Sequence, residues 1–174
     1  AVSSLDNGIT LFAMSPEARK RSGPIQLRQA APLCLDYHHD AARHKELLLA
    51  GDDVGSAHVF VLDERQWGLT GEPDQWYGAK RMVFRKHHDH VTKVEYVADL
   101  SCMVTSSLDA TVNVIDLERR RVKRNFTQHK KAVYSFAWCS NTKVIASCGL
   151  ERQIILWSPY SRRSVASLQV HSSS

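Results

Sequence analysis

Apolar residues in the second half of the chain come in short runs of about five, separated by Asp, Asn, Ser or clustered charge. Val91, Lys93, Glu95 and Val97 alternate with Thr92, Val94 and Tyr96, and further runs follow at 102–107, 111–116 and 122–126. Alternation over such short runs predicts strands, and four in succession with turn residues between them predict a four-stranded antiparallel meander. No stretch carries the 3.6-residue stripe of an amphipathic helix. The unit is all-β.

The meander recurs. The stretch 104–115 aligns with the stretch that ends at Trp157, so that Asp109 falls on Glu151, and six residues beyond each acid stand Ile115 and Trp157. The start of the chain repeats the pattern with Asp6 and Phe12, and a copy at 49–60 has one extra residue between its acid and Phe60. Histidines set the phase: His87 and His129 each precede a valine (Val91, Val133) by four residues and an acid by 22. His171 follows His129 by 42 residues, as His129 follows His87. A sustained period of this length marks an architecture whose units stack on one another.

His–x3–Val, a Leu/Ile-Ala-Ser type of second strand, an Asp turn and a third strand ending in a bulky residue run through almost the whole sequence. In these marks the chain resembles the WD-repeat β-propellers. The Trp-Asp dipeptide is never intact: Ile115-Asp116 keeps the acid and Trp157-Ser158 keeps the indole. The Gly-His pair appears as Lys86-His87, Gln128-His129 and Val170-His171. The resemblance implies an all-β partial propeller of four-stranded antiparallel blades. It also implies a hydrogen-bond network in each blade, joining His87 to Asp109 and Thr105, and His129 to Glu151, Ser147 and Trp157. Where Ile115 stands in place of Trp, packing alone has to hold the blade.

The period divides the chain into the end of one blade (1–30), a blade with an insertion at 63–80 (31–86), two regular blades (87–128 and 129–170) and the start of another (171–174). Closed propellers need roughly four to eight blades. About three and a half are present, so the chain is expected to be a segment of a longer protein. The insertion holds Trp67, Trp76 and Tyr77. Large aromatics on a loop serve either as anchors for a partner or as cover for their own blade.

Composition narrows the function. The 174 residues are 43% hydrophobic and 24% charged, with net charge +5 and pI near 9.1, the profile of a packed domain rather than a disordered one. The longest apolar stretches, 47–50 and 154–157, fall far short of the roughly 20 residues that span a bilayer. Four cysteines without a C-x-x-C pair read as small apolar residues in a reducing compartment. His38-His39-Asp40 with His44, and His87-His88-Asp89-His90, have metal-ligating chemistry, but they fall at opposite ends of first strands and no shared metal site is expected. Ser107, His87 and Asp109 have the chemistry of a hydrolase triad and should lie near one another. The equivalent trio Ser147, His129 and Glu151 in the next unit makes them a structural repeat instead. Phosphate-loop and dinucleotide fingerprints are missing, and no cofactor is expected.

The cations are more informative. Arg19-Lys20-Arg21, Arg119-Arg120-Arg121 (with Lys123 and Arg124) and Arg162-Arg163 each fall between the third and fourth strands of a unit, connections that share one side of a propeller. Asp63, Glu64, Glu72 and Asp74 interrupt the band. Such a face suits an acidic surface (a tubulin tail, nucleic acid or anionic lipid), or it is a solvated edge that discourages aggregation.

A non-enzymatic protein-interaction scaffold accommodates all of these features. Residues 146–160 and 49–55 resemble the large multi-propeller WD-repeat proteins of cilia and flagella. That likeness implies a cytoplasmic, axonemal component whose partners are other proteins, tubulin or doublet-microtubule proteins among them, with no membrane. RNA or ribonucleoprotein binding is the alternative. A ubiquitin-ligase substrate receptor is third, because neither Trp157-Ser158-Pro159-Tyr160 nor Ile115-Asp116-Leu117-Glu118 has the Trp-Asp-x-Arg pattern of that group.

Overall fold

The computed structural model describes residues 2–4, 8–10, 12–14, 19–21, 25–27, 29–40, 45–63 and 80–169. The first unit comprises β1 (Val2–Ser4), β2 (Gly8–Thr10), β3 (Phe12–Met14), β4 (Arg19–Arg21) and β5 (Ile25–Gln26). They pair as a β1-β2-β5 sheet and a β3-β4 ladder. The second is β6 (Pro32–Asp40), β7 (Lys45–Asp52), β8 (Ser56–Asp63) and β9 (Lys80–Arg85). The third is β10 (Val91–Val97), β11 (Cys102–Ser107), β12 (Val112–Asp116) and β13 (Arg121–Phe126). The fourth is β14 (Val133–Cys139), β15 (Val144–Gly149), β16 (Gln153–Trp157) and β17 (Ser164–Gln169). Each of the last three is a four-stranded antiparallel sheet in sequence order.

The sheets stack face to face, with their first strands side by side. Tyr96 N–H donates to Asp36 Oδ2 (2.8 Å) between the second and third sheets. Thr92 Oγ1 donates to the Val133 carbonyl (2.8 Å), and Lys93 Nζ to the Phe136 carbonyl (2.8 Å), between the third and fourth.

Apolar residues alternate between two cores rather than between core and water. Val91, Val94, Met103 and Ile115 pack against Leu49, Val59 and Phe84 of the second sheet. Val97, Val104, Val112 and Val114 pack against Phe136, Ile145, Ile155 and Trp157 of the fourth. A third core holds Ile9 and Leu27 against Leu48, Phe60 and Leu62. The half-buried alternation expected over residues 91–97 is therefore replaced by burial of Val91, Val94 and Val97. Both faces of that strand are covered, and a bulge at Thr92 shifts its phase. The same bulge recurs at Leu33 and Tyr134, which are 43% and 50% exposed.

Close approach between first and second strands depends on glycine. A Cβ at Gly149 would lie 2.0 Å from the Ala132 carbonyl oxygen. At Gly55, φ is +82° and a Cβ would lie 2.5 Å from the His87 carbonyl oxygen, the residue whose N–H bonds Gly55 O. Gly149→Ala is expected to lower unfolding stability by about 1–3 kcal/mol through overpacking, measured by denaturant titration.

Candidate functional site

His87 sits just before β10 and reaches the turn between β11 and β12. Its Nδ1 lies 3.1 Å from Asp109 Oδ2, and its Nε2 lies 2.7 Å from Thr105 Oγ1. An ionised carboxylate only accepts, so Nδ1 carries the proton and Nε2 accepts from the threonine hydroxyl. Asp109 also accepts from Thr111 Oγ1 (2.6 Å), Thr111 N–H (2.9 Å) and His88 N–H (2.9 Å). Burial alone would raise the Asp109 carboxyl; the hydrogen bonds from His87, Thr111 and His88 reverse this and hold it well below the usual carboxylate range.

The fourth sheet repeats the arrangement. His129 Nδ1 bonds Glu151, and its Nε2 accepts from Ser147 Oγ (2.7 Å), which in turn accepts from Trp157 Nε1 (2.7 Å). Against burial, the Lys130 N–H and His129 lower the Glu151 carboxyl. In the third sheet Ile115 holds the register position of Trp157, so the indole donor is missing. Asn113, opposite Thr105, lays its amide nitrogen 3.3 Å from His87 Nε2 instead.

The second sheet uses different residues, which the sequence reading missed. Asp52 and His58 lie on neighbouring strands and are both buried, with His58 Nε2 donating to Asp52 Oδ2 (2.8 Å). Asp52 Oδ1 also accepts from Ser56 N–H (2.6 Å) and Val54 N–H (3.1 Å). Arg81 of β9 donates to His58 Nδ1 (3.0 Å), so this imidazole carries its proton on the other nitrogen from His87. Asp53, the acid of the Asp turn, accepts from the Ala31 N–H (2.9 Å). The only sequence signal was a histidine two residues before Phe60, without the 22-residue spacing to an acid.

The cations divide. Arg119 and Arg120 lie in the turn before β13, and Arg121 begins that strand; Arg162 and Arg163 precede β17. All five are exposed, with Lys123 beside them. The Arg124 guanidinium crosses to the fourth sheet and donates to the Tyr160 carbonyl (3.1 Å), which ties β13 to the turn before β17. Arg19, Lys20 and Arg21 do not lie in a connection as expected. They form β4, paired with β3, because that hairpin extends further than the others.

Other candidates separate as well. Ser107 does not reach His87: its hydroxyl donates to the Asp89 carbonyl (3.0 Å) and accepts from Asp109 N–H (3.1 Å). Thr105 and Ser147, the hydroxyls that do bond histidine, are fully buried and closed to substrate. His38 packs on Tyr96, with ring centroids 4.6 Å apart, at the far end of the first strands from His88–His90. Trp67, Trp76 and Tyr77 lie outside the described residues, as do His44 and His171. The cysteines are not all core residues: Cys139 and Cys148 are exposed. Cys34 is enclosed between sheets, where burial pushes its thiol up to about 11.

Residues 78–116 and 120–158 match the family "WD domain, G-beta repeat". Both matched stretches are similar to the WD repeat. Each begins at the outer strand of one blade and ends with the third strand of the next, so a single repeat ties two blades together. Over 91 residues the chain is 29% identical to the nuclear distribution protein nudF of Aspergillus niger, covering 51% of this chain and 20% of that protein. A chain in the crystal structure of a mitotic checkpoint complex superposes with TM-score 0.72 at 21% identity, over 94% of this chain and 45% of that one. The chain thus has the fold of a partial β-propeller and spans less than half the length of these relatives.

The Asp109 bond makes stability depend on pH. A carboxyl lowered in the folded state stabilises above its unfolded value of about 3.9 and loses that contribution as pH falls through the folded value. Asp109→Asn is expected to cost about 1.5–3 kcal/mol at pH 7 and to flatten the acid limb of the stability profile. Trp157→Phe, which removes only the indole N–H, is expected to cost about 1 kcal/mol by denaturant titration.

Proposed function

We propose that this chain belongs to a non-enzymatic interaction scaffold, a structural component of a cytoskeletal or axonemal assembly in the cytoplasm. In this reading the rest of a longer protein completes the propeller. The WD-repeat blades present their connections to acidic surfaces of microtubules or microtubule-associated proteins. The observation that carries the reading is that the same connection is basic and exposed in two successive blades, with Arg119, Arg120, Arg121 and Lys123 in one and Arg162 and Arg163 in the next, and that Arg124 bonds across from one blade to the other. The blade networks support it, because their histidines and acids recur as internal structure, bonded to the buried hydroxyls of Thr105 and Ser147. The relative named for nuclear distribution and the neighbour found in a checkpoint complex are consistent with work inside assemblies.

Co-sedimentation of the full-length protein with microtubules, with and without their acidic tails, tests the proposal. Binding is expected to fall about tenfold when Arg119, Arg120 and Arg121 are changed to Glu, and to weaken as salt screens the charges. Unchanged binding by that variant overturns the assignment. Tight, steeply salt-dependent binding to RNA with none to microtubules replaces it with the ribonucleoprotein reading.

A further inference from the structure

We infer that the outer edge of the second blade, strand β9, is a docking site for an extended acidic segment of a partner protein, which adds there as a fifth strand. β9 is the last strand in the order β6-β7-β8-β9, so one row of its backbone N–H and C=O groups faces away from β8.

The outer strands of the other two four-stranded blades are interrupted. Ile115 pairs with Val122 and Val114 with Arg124, leaving Lys123 as a bulge. Trp157 pairs with Ser164 and Leu156 with Ala166, leaving Val165 as a bulge. Bulges twist an edge and break the spacing that an incoming strand must match. β9 has no such break: its register is continuous from Ser56↔Arg85 to Val61↔Lys80. It is a straight edge six residues long.

Side chains then select the occupant. Arg81, Val83 and Arg85 are exposed at alternate positions, while Met82 and Phe84 turn into the core against the third blade. Lys80, Arg81, Arg85 and Lys86 give the segment four cations and no acid. A second copy of β9 would set arginine against arginine, which repels. A strand reading acid-x-apolar-x-acid sets a carboxylate beside each arginine and an apolar side chain beside Val83.

The probe is a fluorescent peptide with the core Glu-Thr-Val-Thr-Glu, added to the full-length protein and followed by anisotropy and hydrogen exchange. Binding is expected to slow exchange at β9 amides, and Arg85→Glu to weaken it about tenfold. Val83→Lys, an exposed change that leaves both arginines in place, is also expected to weaken it. A peptide N-methylated at alternate backbone nitrogens keeps its charge but cannot form the ladder, and is expected not to bind. Equal binding of that peptide, or equal competition by RNA of the same charge, overturns the inference by showing attraction without strand pairing. Full protection of the β9 amides before peptide is added also overturns it, because the edge is then already occupied. Microtubule binding need not accompany any of these results, so the two proposals fail separately.

Discussion

The fold depends on one constraint: the second and third sheets are apolar on both faces and stay dry only with a neighbour on each side. Burial of apolar area is the dominant favourable contribution to folding, and here it is gained between sheets rather than within a conventional two-layer core. Val91 and Val94 face one neighbour while Val97 and Val104 face the other. Such contacts need the first strands to approach closely. Gly51, where a Cβ would lie 2.5 Å from Val91, the bulge at Thr92 and the Lys93 bond to the next blade all serve that approach.

Close stacking buries polar turn groups, and these must find partners inside. The third and fourth blades solve this with a histidine that spans from the preceding loop to an acid and a strand hydroxyl. The second blade meets the same need with Asp52 and His58 on adjacent strands, the imidazole in its other tautomer and Arg81 closing the chain. A recurring physical requirement, rather than a recurring residue, is what the blades share. The hydroxyl–histidine pairs resemble hydrolytic machinery in composition only, since Thr105 and Ser147 are sealed between sheets.

Charge sits where burial ends. Cations gather on turns and outer strands, where the sheets no longer cover one another. Their grouping depends on cross-blade contacts such as that of Arg124 with Tyr160. Arg19–Arg21 show how easily such a grouping is misjudged: a hairpin a few residues longer moves three cations from a turn onto a strand.

The sequence by itself determined the all-β class and the blade period, which follow from local alternation and from a spacing that recurs at 42 residues. The His87–Asp109 and His129–Glu151 pairs were implied by the family resemblance. The resemblance implied Thr105 as the histidine's hydroxyl partner, while composition alone offered Ser107. Both hydroxyls lie on one strand two residues apart, roughly 7 Å, and one ring reaches only one of them. Tertiary structure alone decided the Asp52–His58–Arg81 chain, the bulges on two outer strands and the bond from Arg124 to the next blade's turn. These depend on which atoms meet across strands and blades, and a pattern that does not repeat leaves no periodic trace along the chain.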